Sequence, residues 1–125
     1  MTWPFIDTHC HFDFPPFAGH AAESLARAAQ AGVTQIIVPA IEAENFPRVL
    51  ALAEQHAAIY AAVGIHPHDA DSADEAAYEQ LLQWSRHPKV VAIGEIGLDY
   101  HYDFSPRSVQ QEVFVKQLAL AKECD

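Results

Sequence analysis

Eight histidines stand among the 125 residues of this chain, and some of them are spaced for chemistry. His9-Cys10-His11 sets two imidazoles one residue apart. On an extended strand, alternate side chains share a face, so both rings would project to one side and could seat a divalent cation. Asp7 and Asp13 bracket the pair and could orient the rings. The plain alternative is a polar loop edge, because two histidines make an incomplete metal site. Glu95 is the natural third donor. It directly follows the apolar run Val90-Val91-Ala92-Ile93 and lies between Gly94 and Gly97. A carboxylate at the mouth of a buried strand is costly unless it is paired or metal-bound. Its two oxygens would let it bridge two ions, which two-metal sites hold ~3.5–4 Å apart.

A second group is less sharply defined. His66, in Gly64-Ile65-His66-Pro67-His68, could touch a substrate phosphate or a metal-bound water; a hydrogen-bonded loop histidine is the alternative. His68 lies further out and is expected to be solvated. Asp99, four residues past Glu95, suits orienting a ligand or accepting a proton. Arg107 could hold a phosphate, with a surface arginine as the equal alternative. His20, His56, His87 and His101 show no partner pattern. Cys10 would face away from its histidine neighbours on a strand and reads as structural. Cys10 and Cys124 form no CxxC pair and read as reduced thiols.

The elements that must position these residues alternate. Strands are expected at Phe5–His9, Gln35–Val38, Ile59–Val63 and Val90–Gly94. Helices are expected from Glu23 to Gln30, stopped by Gly32, and from Asn45 to Glu54, with Pro47 in the first turn. Ser72 and Glu75 form an S-x-x-E capping box that opens a third helix ending before Pro88. The fourth helix takes Ser105 as N-cap and Pro106 as its first residue, with Val109, Val113, Phe114, Leu118 and Ala121 on its apolar side. The strands are apolar and β-branched, which fits parallel strands covered on both faces. Repeating βα units of roughly thirty residues belong to an α/β protein, either a doubly wound sheet or half of a (βα)8 barrel. The unusual residues collect at the carboxyl ends of the first, third and fourth strands, the edge where such folds bind ligands.

Composition narrows the classes. Half of the residues are hydrophobic and 19% are charged, as in an ordinary globular domain. No apolar run approaches the roughly 18 residues that span a bilayer, and the N-terminus lacks the basic start of a secretory signal, so a cytoplasmic address is expected. The net charge of −10 argues against a broad basic surface for nucleic acid. If the substrate is DNA, bound metal must supply the positive charge.

Three segments in order, Asp7-Thr8-His9-Cys10-His11-Phe12-Asp13, Gly64-Ile65-His66-Pro67-His68 and Gly94-Glu95-Ile96-Gly97-Leu98-Asp99-Tyr100, resemble the successive signatures of the TatD family of metal-dependent deoxyribonucleases. Asn45-Phe46-Pro47-Arg48-Val49 and Gln117-Leu118-Ala119-Leu120-Ala121 resemble it too, and Phe12-Asp13-Phe14-Pro15-Pro16-Phe17 is closest to the YjjV-like branch. The likeness covers essentially the whole chain. It implies a TIM-barrel hydrolase of the amidohydrolase superfamily that cleaves phosphodiester bonds in DNA, several members acting as 3′-to-5′ exonucleases, with two divalent ions (zinc, magnesium or manganese). In the family the histidines of the first motif bind one ion and the glutamate bridges two. Those roles fall on His9, His11 and Glu95, with Glu95 catalytic. Family members are about twice this length, matching the barrel's typical ~250 residues. Their remaining ligands, two histidines after the fifth and sixth strands and an aspartate after the eighth, are absent here.

The expectation is therefore a single partial domain over residues 1–125, the N-terminal (βα)4 half of a TIM barrel carrying half of a dinuclear site. DNA is the expected substrate. Self-association or a partner chain is expected to supply the missing half, and the chain alone is expected to be a poor nuclease. Two rivals stand beside this reading. One is an amidohydrolase-type enzyme acting on C–N or C–O bonds, since fold does not fix substrate. The other is an inactive metal-binding or assembly half-barrel.

Overall fold

The computed structural model describes residues 3–124; Met1, Thr2 and Asp125, and with them the extreme N-terminus read for a targeting signal, lie outside the described residues. The elements run β1 (Phe5–Asp7), α1 (Ala21–Gln30), β2 (Val33–Pro39), α2 (Phe46–Gln55), β3 (Ile59–Val63), a 3₁₀ turn (Pro67–Ser72), α3 (Glu75–Ser85), β4 (Val90–Ile93) and α4 (Arg107–Glu123). The four strands pair in parallel in the order β1-β2-β3-β4. A doubly wound sheet reverses direction at a switch point. Here every crossover advances the same way, which is the winding of a (βα)8 barrel. The sheet is also curled: the Glu95 N–H, just past β4, reaches the Ala40 carbonyl, just past β2, at 3.2 Å. The chain is the N-terminal half of a TIM barrel.

The core lies between the sheet and the helices. Val38, Ile59, Ala61 and Val63 pack there with Phe46, Val49, Ala53, Leu81, Val113 and Leu120. Phe46 stacks on Trp84, with ring centroids 4.1 Å apart. Each fully buried Val, Ile, Leu or Phe side chain contributes about 1.5–3 kcal/mol. Contrary to the reading of strands covered on both faces, Phe5, Ile6 and Val91 are exposed. A cavity of about 200 Å³ opens between Ile6, Gln35, Ile37, Tyr60 and Val91. A closed barrel fills its interior with side chains from strands all around the ring, and four strands supply only an arc.

Several local expectations change. β1 ends at Asp7 rather than His9. α3 is capped by Asp74, whose Oδ1 accepts the Ala77 N–H at 2.8 Å; Ser72 belongs to the preceding 3₁₀ turn and donates to the Asp69 carbonyl. Two capping signals overlapped here, and the aspartate nearer the helix prevailed. Ser105 does not cap α4. It is buried, and its hydroxyl donates to the His68 carbonyl at 2.9 Å, tying the α4 entry to the 3₁₀ turn. α4 buries Gln110, Val113, Gln117 and Leu120, whereas Leu118 is exposed. At the opposite edge of the sheet, the Lys89 ammonium donates to the carbonyls of His56, Ala57 and Ile59 at 3.2, 3.1 and 2.7 Å. No helix among the described residues is long and apolar enough to cross a membrane.

Candidate metal centre

After β1 the chain turns at once. The Asp7 Oδ1 accepts the His9 N–H at 3.1 Å, an Asx-type turn. The Cys10 N–H donates to the Ile37 carbonyl at 3.1 Å, which anchors the turn to β2. His9 and His11 therefore do not share a strand face as expected. The turn itself brings their rings edge to face, 5.2 Å between centroids, and His11 stacks on Phe14 at 5.1 Å. The other motifs hang on neighbouring strand ends. Gly94 N–H donates to the Val63 carbonyl and His66 N–H to the Ile41 carbonyl. A Cβ at Gly64 would lie 2.9 Å from both the Gly94 carbonyl carbon and Ile96 Cγ2, so the segment carrying Glu95 can approach only a glycine there.

The result is a convergence on one carboxylate. His9 Nε2 and His11 Nε2 lie 3.2 and 3.5 Å from Glu95 Oε2. Ligand atoms of the three residues fall within 4.8 Å of one another. The chemistry of this donor set fits a divalent ion. Bonds of ~2.0–2.2 Å place neighbouring ligand atoms about 3.4 Å apart in a tetrahedral shell and about 3.0 Å in an octahedral one. The His11 Nδ1 is buried without a partner. A proton held there in the neutral ring leaves the Nε2 lone pair free toward the carboxylate side. The group borders a cavity of about 450 Å³ whose walls include Thr8, Ile37, Pro39 and Ile96.

The remaining candidates divide. His66 joins the group: its Nε2 lies 3.4 Å from Glu95 Oε1. Its Nδ1 accepts the His68 N–H at 3.1 Å, so the neutral ring carries its proton on Nε2 and donates toward Glu95. Burial lowers the His66 pKa, partly opposed by Glu95. His68 is not solvated as expected but half-buried, and its Nε2 contacts Asp99 Oδ2. That hydrogen bond is the main reason the Asp99 carboxyl pKa is lowered; the His101 and Tyr102 N–H groups, both bonded to Oδ1, add to it. Asp99 thus engages His68 rather than His9, His11 or Glu95.

Asp13 is buried, with Oδ2 accepting from Asn45 Nδ2 at 3.2 Å and Arg48 at 3.0 Å, and it joins the loops after β1 and β2. Arg107 has its guanidinium forked on Asp103 at 2.8 and 2.6 Å and stacked over Tyr100, which leaves little of it for a phosphate. Burial, then Asp7 and Asp13, raise the Cys10 thiol pKa, so Cys10 stays a protonated, structural thiol. His87 bonds Glu54 and the Lys89 N–H, away from the site.

Two residues that matter to the site were given no role from the sequence, although Gln117 opens one of the family-like segments. Gln117 is 1% exposed and reads both backbone groups of Ile65, accepting its N–H at 2.7 Å and donating to its carbonyl at 3.0 Å. Gln110, equally buried, accepts the Asp99 N–H at 2.7 Å and donates to the carbonyls of Asp99 and Ser105. One helix thus pins the loops that carry His66 and Asp99. The signal was present: residues 110, 113, 117 and 120 form one helical stripe. Glutamine is usually exposed, which hides the pattern.

Comparison with known proteins agrees with this geometry. Residues 6–125 match the family described as TatD related DNase. The chain is 58% identical, over its whole length, to the uncharacterized metal-dependent hydrolase YjjV of Escherichia coli K12, covering 49% of that protein. It is 36% identical to the 3′-5′ ssDNA/RNA exonuclease TatD of Enterobacter lignolyticus over 95% of this chain and 46% of that one. The crystal structure of the Escherichia coli YjjV protein superposes with a TM-score of 0.89 over 97% of this chain and 48% of that chain. A TatD family hydrolase from Entamoeba histolytica, 24% identical, shares the fold with a TM-score of 0.83. The chain spans about half the length of the curated relatives it matches. With its motifs in order at the strand ends of a parallel half-barrel, the chain belongs to the TatD-related DNase family.

Proposed function

We propose that this chain provides one half of a divalent-metal centre that hydrolyses phosphodiester bonds in nucleic acid, single-stranded DNA above all. The observation that carries the reading is the approach of His9 and His11 to one oxygen of Glu95, at the edge lengths of a coordination shell. The names of the relatives, a metal-dependent hydrolase and a 3′-5′ ssDNA/RNA exonuclease, support it. A bound divalent ion lowers the pKa of water and stabilises charge developing on phosphoryl oxygens. His9, His11 and Glu95 would hold that ion, with zinc, manganese or magnesium as candidates. Glu95 turns its second oxygen toward His66, and a second ion, if held, would share the carboxylate with that histidine. The His66 Nε2–H is a donor placed beside Glu95, where it can fix the carboxylate or hold a phosphate oxygen. With a net charge of −10, the chain has little other positive charge to draw phosphate in.

Calorimetric titration of zinc and manganese into the wild type, the His9→Ala/His11→Ala double variant and Glu95→Gln tests the site. Stoichiometric binding is expected in the wild type and lost in the double variant. Unchanged affinity in the double variant would sink the assignment. Parallel assays on DNA, amides and lactones separate phosphodiester cleavage from C–N or C–O hydrolysis.

A further inference from the structure

The β4–α4 loop carries aromatic rings that the core does not bury. Tyr100, Tyr102 and Phe104 are 39%, 60% and 65% exposed. Tyr102 and Phe104 lie nearly parallel, with centroids 5.3 Å apart, and both meet His68 edge-on, at 5.6 and 4.8 Å. Each exposed ring leaves apolar area in water, yet the loop presenting them is firmly held. Asp99 caps the His101 and Tyr102 N–H groups. Arg107 clamps Asp103. Gln110 holds the carbonyls on either side, of Asp99 and Ser105. A rigid support under exposed aromatic faces is what a stacking surface requires, because little order is lost on binding.

The position matters as much as the rigidity. Glu95 contacts His66 at 3.4 Å, the His66 and His68 rings are 4.2 Å apart, and His68 touches Phe104. The aromatic pair therefore continues directly from the candidate metal centre, two imidazoles away. Its make-up also differs from that of the apolar residues exposed on the strands. Phe5, Ile6 and Val91 lie on strands at the open side of the sheet, where further barrel strands would cover them. The loop patch consists of aromatic rings interleaved with imidazoles and tyrosine hydroxyls, the mixture found where bases of single-stranded nucleic acid stack.

We propose that Tyr102 and Phe104 form a stacking platform for a nucleobase of single-stranded nucleic acid whose phosphate lies at the His9–His11–Glu95 group. This rests on the nucleic-acid reading above and adds where the unpaired strand is held: a base stacks on the β4–α4 loop, with little regard to sequence, since every base has a π-face.

The test is fluorescence anisotropy with a labelled oligothymidylate and an abasic oligonucleotide of equal length, titrated with the wild type, Tyr102→Ala/Phe104→Ala and Tyr102→Phe/Phe104→Tyr. The platform requires the wild type to bind oligothymidylate at least about tenfold more tightly than the abasic strand, the energy of one stacked base. The alanine pair should lose that difference, and the aromatic exchange should keep it. Zinc titration of the alanine pair should match the wild type, which separates this proposal from the metal assignment. Far- and near-ultraviolet circular dichroism checks that the alanine pair is folded. Equal binding of both strands by the wild type, no binding at all, or an alanine pair that still discriminates would each overturn the platform. So would an alanine pair that changes only its sedimentation, which would make the patch a protein contact.

Discussion

Replacing Gln117 by methionine keeps an unbranched side chain of similar length and removes both of its hydrogen bonds. Ile65 is 4% exposed, so its N–H and carbonyl would lose their partners in a place water hardly reaches. Each orphaned buried group costs about 1–3 kcal/mol. Methionine recovers part of this through apolar packing, so a net loss of about 3 kcal/mol is expected. A chain of this length unfolds with an entropy of about 0.26 kcal/mol/K, which converts the loss to a fall of roughly 11 °C in Tm. Urea denaturation followed by circular dichroism should show a lower midpoint with an unchanged m-value. Gln117→Glu separates the two bonds: it keeps an acceptor for the Ile65 N–H but loses the donor to the carbonyl and buries a charge, so it should be no more stable than the methionine variant. A methionine variant within about 0.5 kcal/mol of the wild type, inside the ordinary range for surface substitutions, would refute the reasoning.

Gly64→Ala forces a methyl group to within 2.9 Å of the segment before Glu95. The expected cost is about 1–3 kcal/mol of overpacking, together with at least a roughly tenfold loss of zinc affinity, read by calorimetry; unchanged affinity would mean that Glu95 is positioned independently of this contact. Asp99 has its folded-state pKa lowered below 3.8, chiefly by His68. Its contribution to stability is therefore present above about pH 4 and is lost as pH falls further. Asp99→Asn should be less stable at pH 7 and lose less on acidification from pH 5 to pH 3, and parallel urea midpoints for the two proteins across that range would contradict the pairing. The open edges β1 and β4 and the exposed Phe5, Ile6 and Val91 predict self-association of the isolated chain at micromolar concentration. Sedimentation equilibrium showing a clean monomer would refute that.

Much of this architecture can be read from the chain because the signals are local. Runs such as Ile36-Ile37-Val38, the stop at Gly32 and Pro47 at the start of α2 each act within a few residues. The approach of His9, His11 and Glu95 was legible from residue type and strand-end position, although a turn rather than a shared strand face produces it. What was not legible depends on partners distant in sequence. His68 finds Asp99 only because the loops after β3 and β4 lie side by side. Gln117 is buried because the backbone of Ile65 lies against α4. The extent of β1 was missed because Asp7 bonds the His9 N–H and so turns the chain before a β-prone run has ended. Ser72 fits the S-x-x-E pattern, but the cap is Asp74, immediately before the helix, and the pattern alone did not point to it.

The strand order has a bearing on how the chain acquires its shape. Each strand lies beside the one made just before it, so a nascent chain can add βα units one at a time, every new strand meeting an edge that already exists. Each pairing still spans more than twenty residues, as Phe5 with Val33, Ile36 with Ile59 and Ala61 with Val90 show, so every step closes a βα loop before its strand contacts can form. The metal donors reach further. His9 belongs to the first unit, while Glu95 arrives only after the fourth strand, and the two meet across the arc of the whole sheet. Metal binding should therefore be the last property to appear during folding and the first to disappear when β4 frays, making zinc affinity a sensitive gauge of whether the final strand has docked.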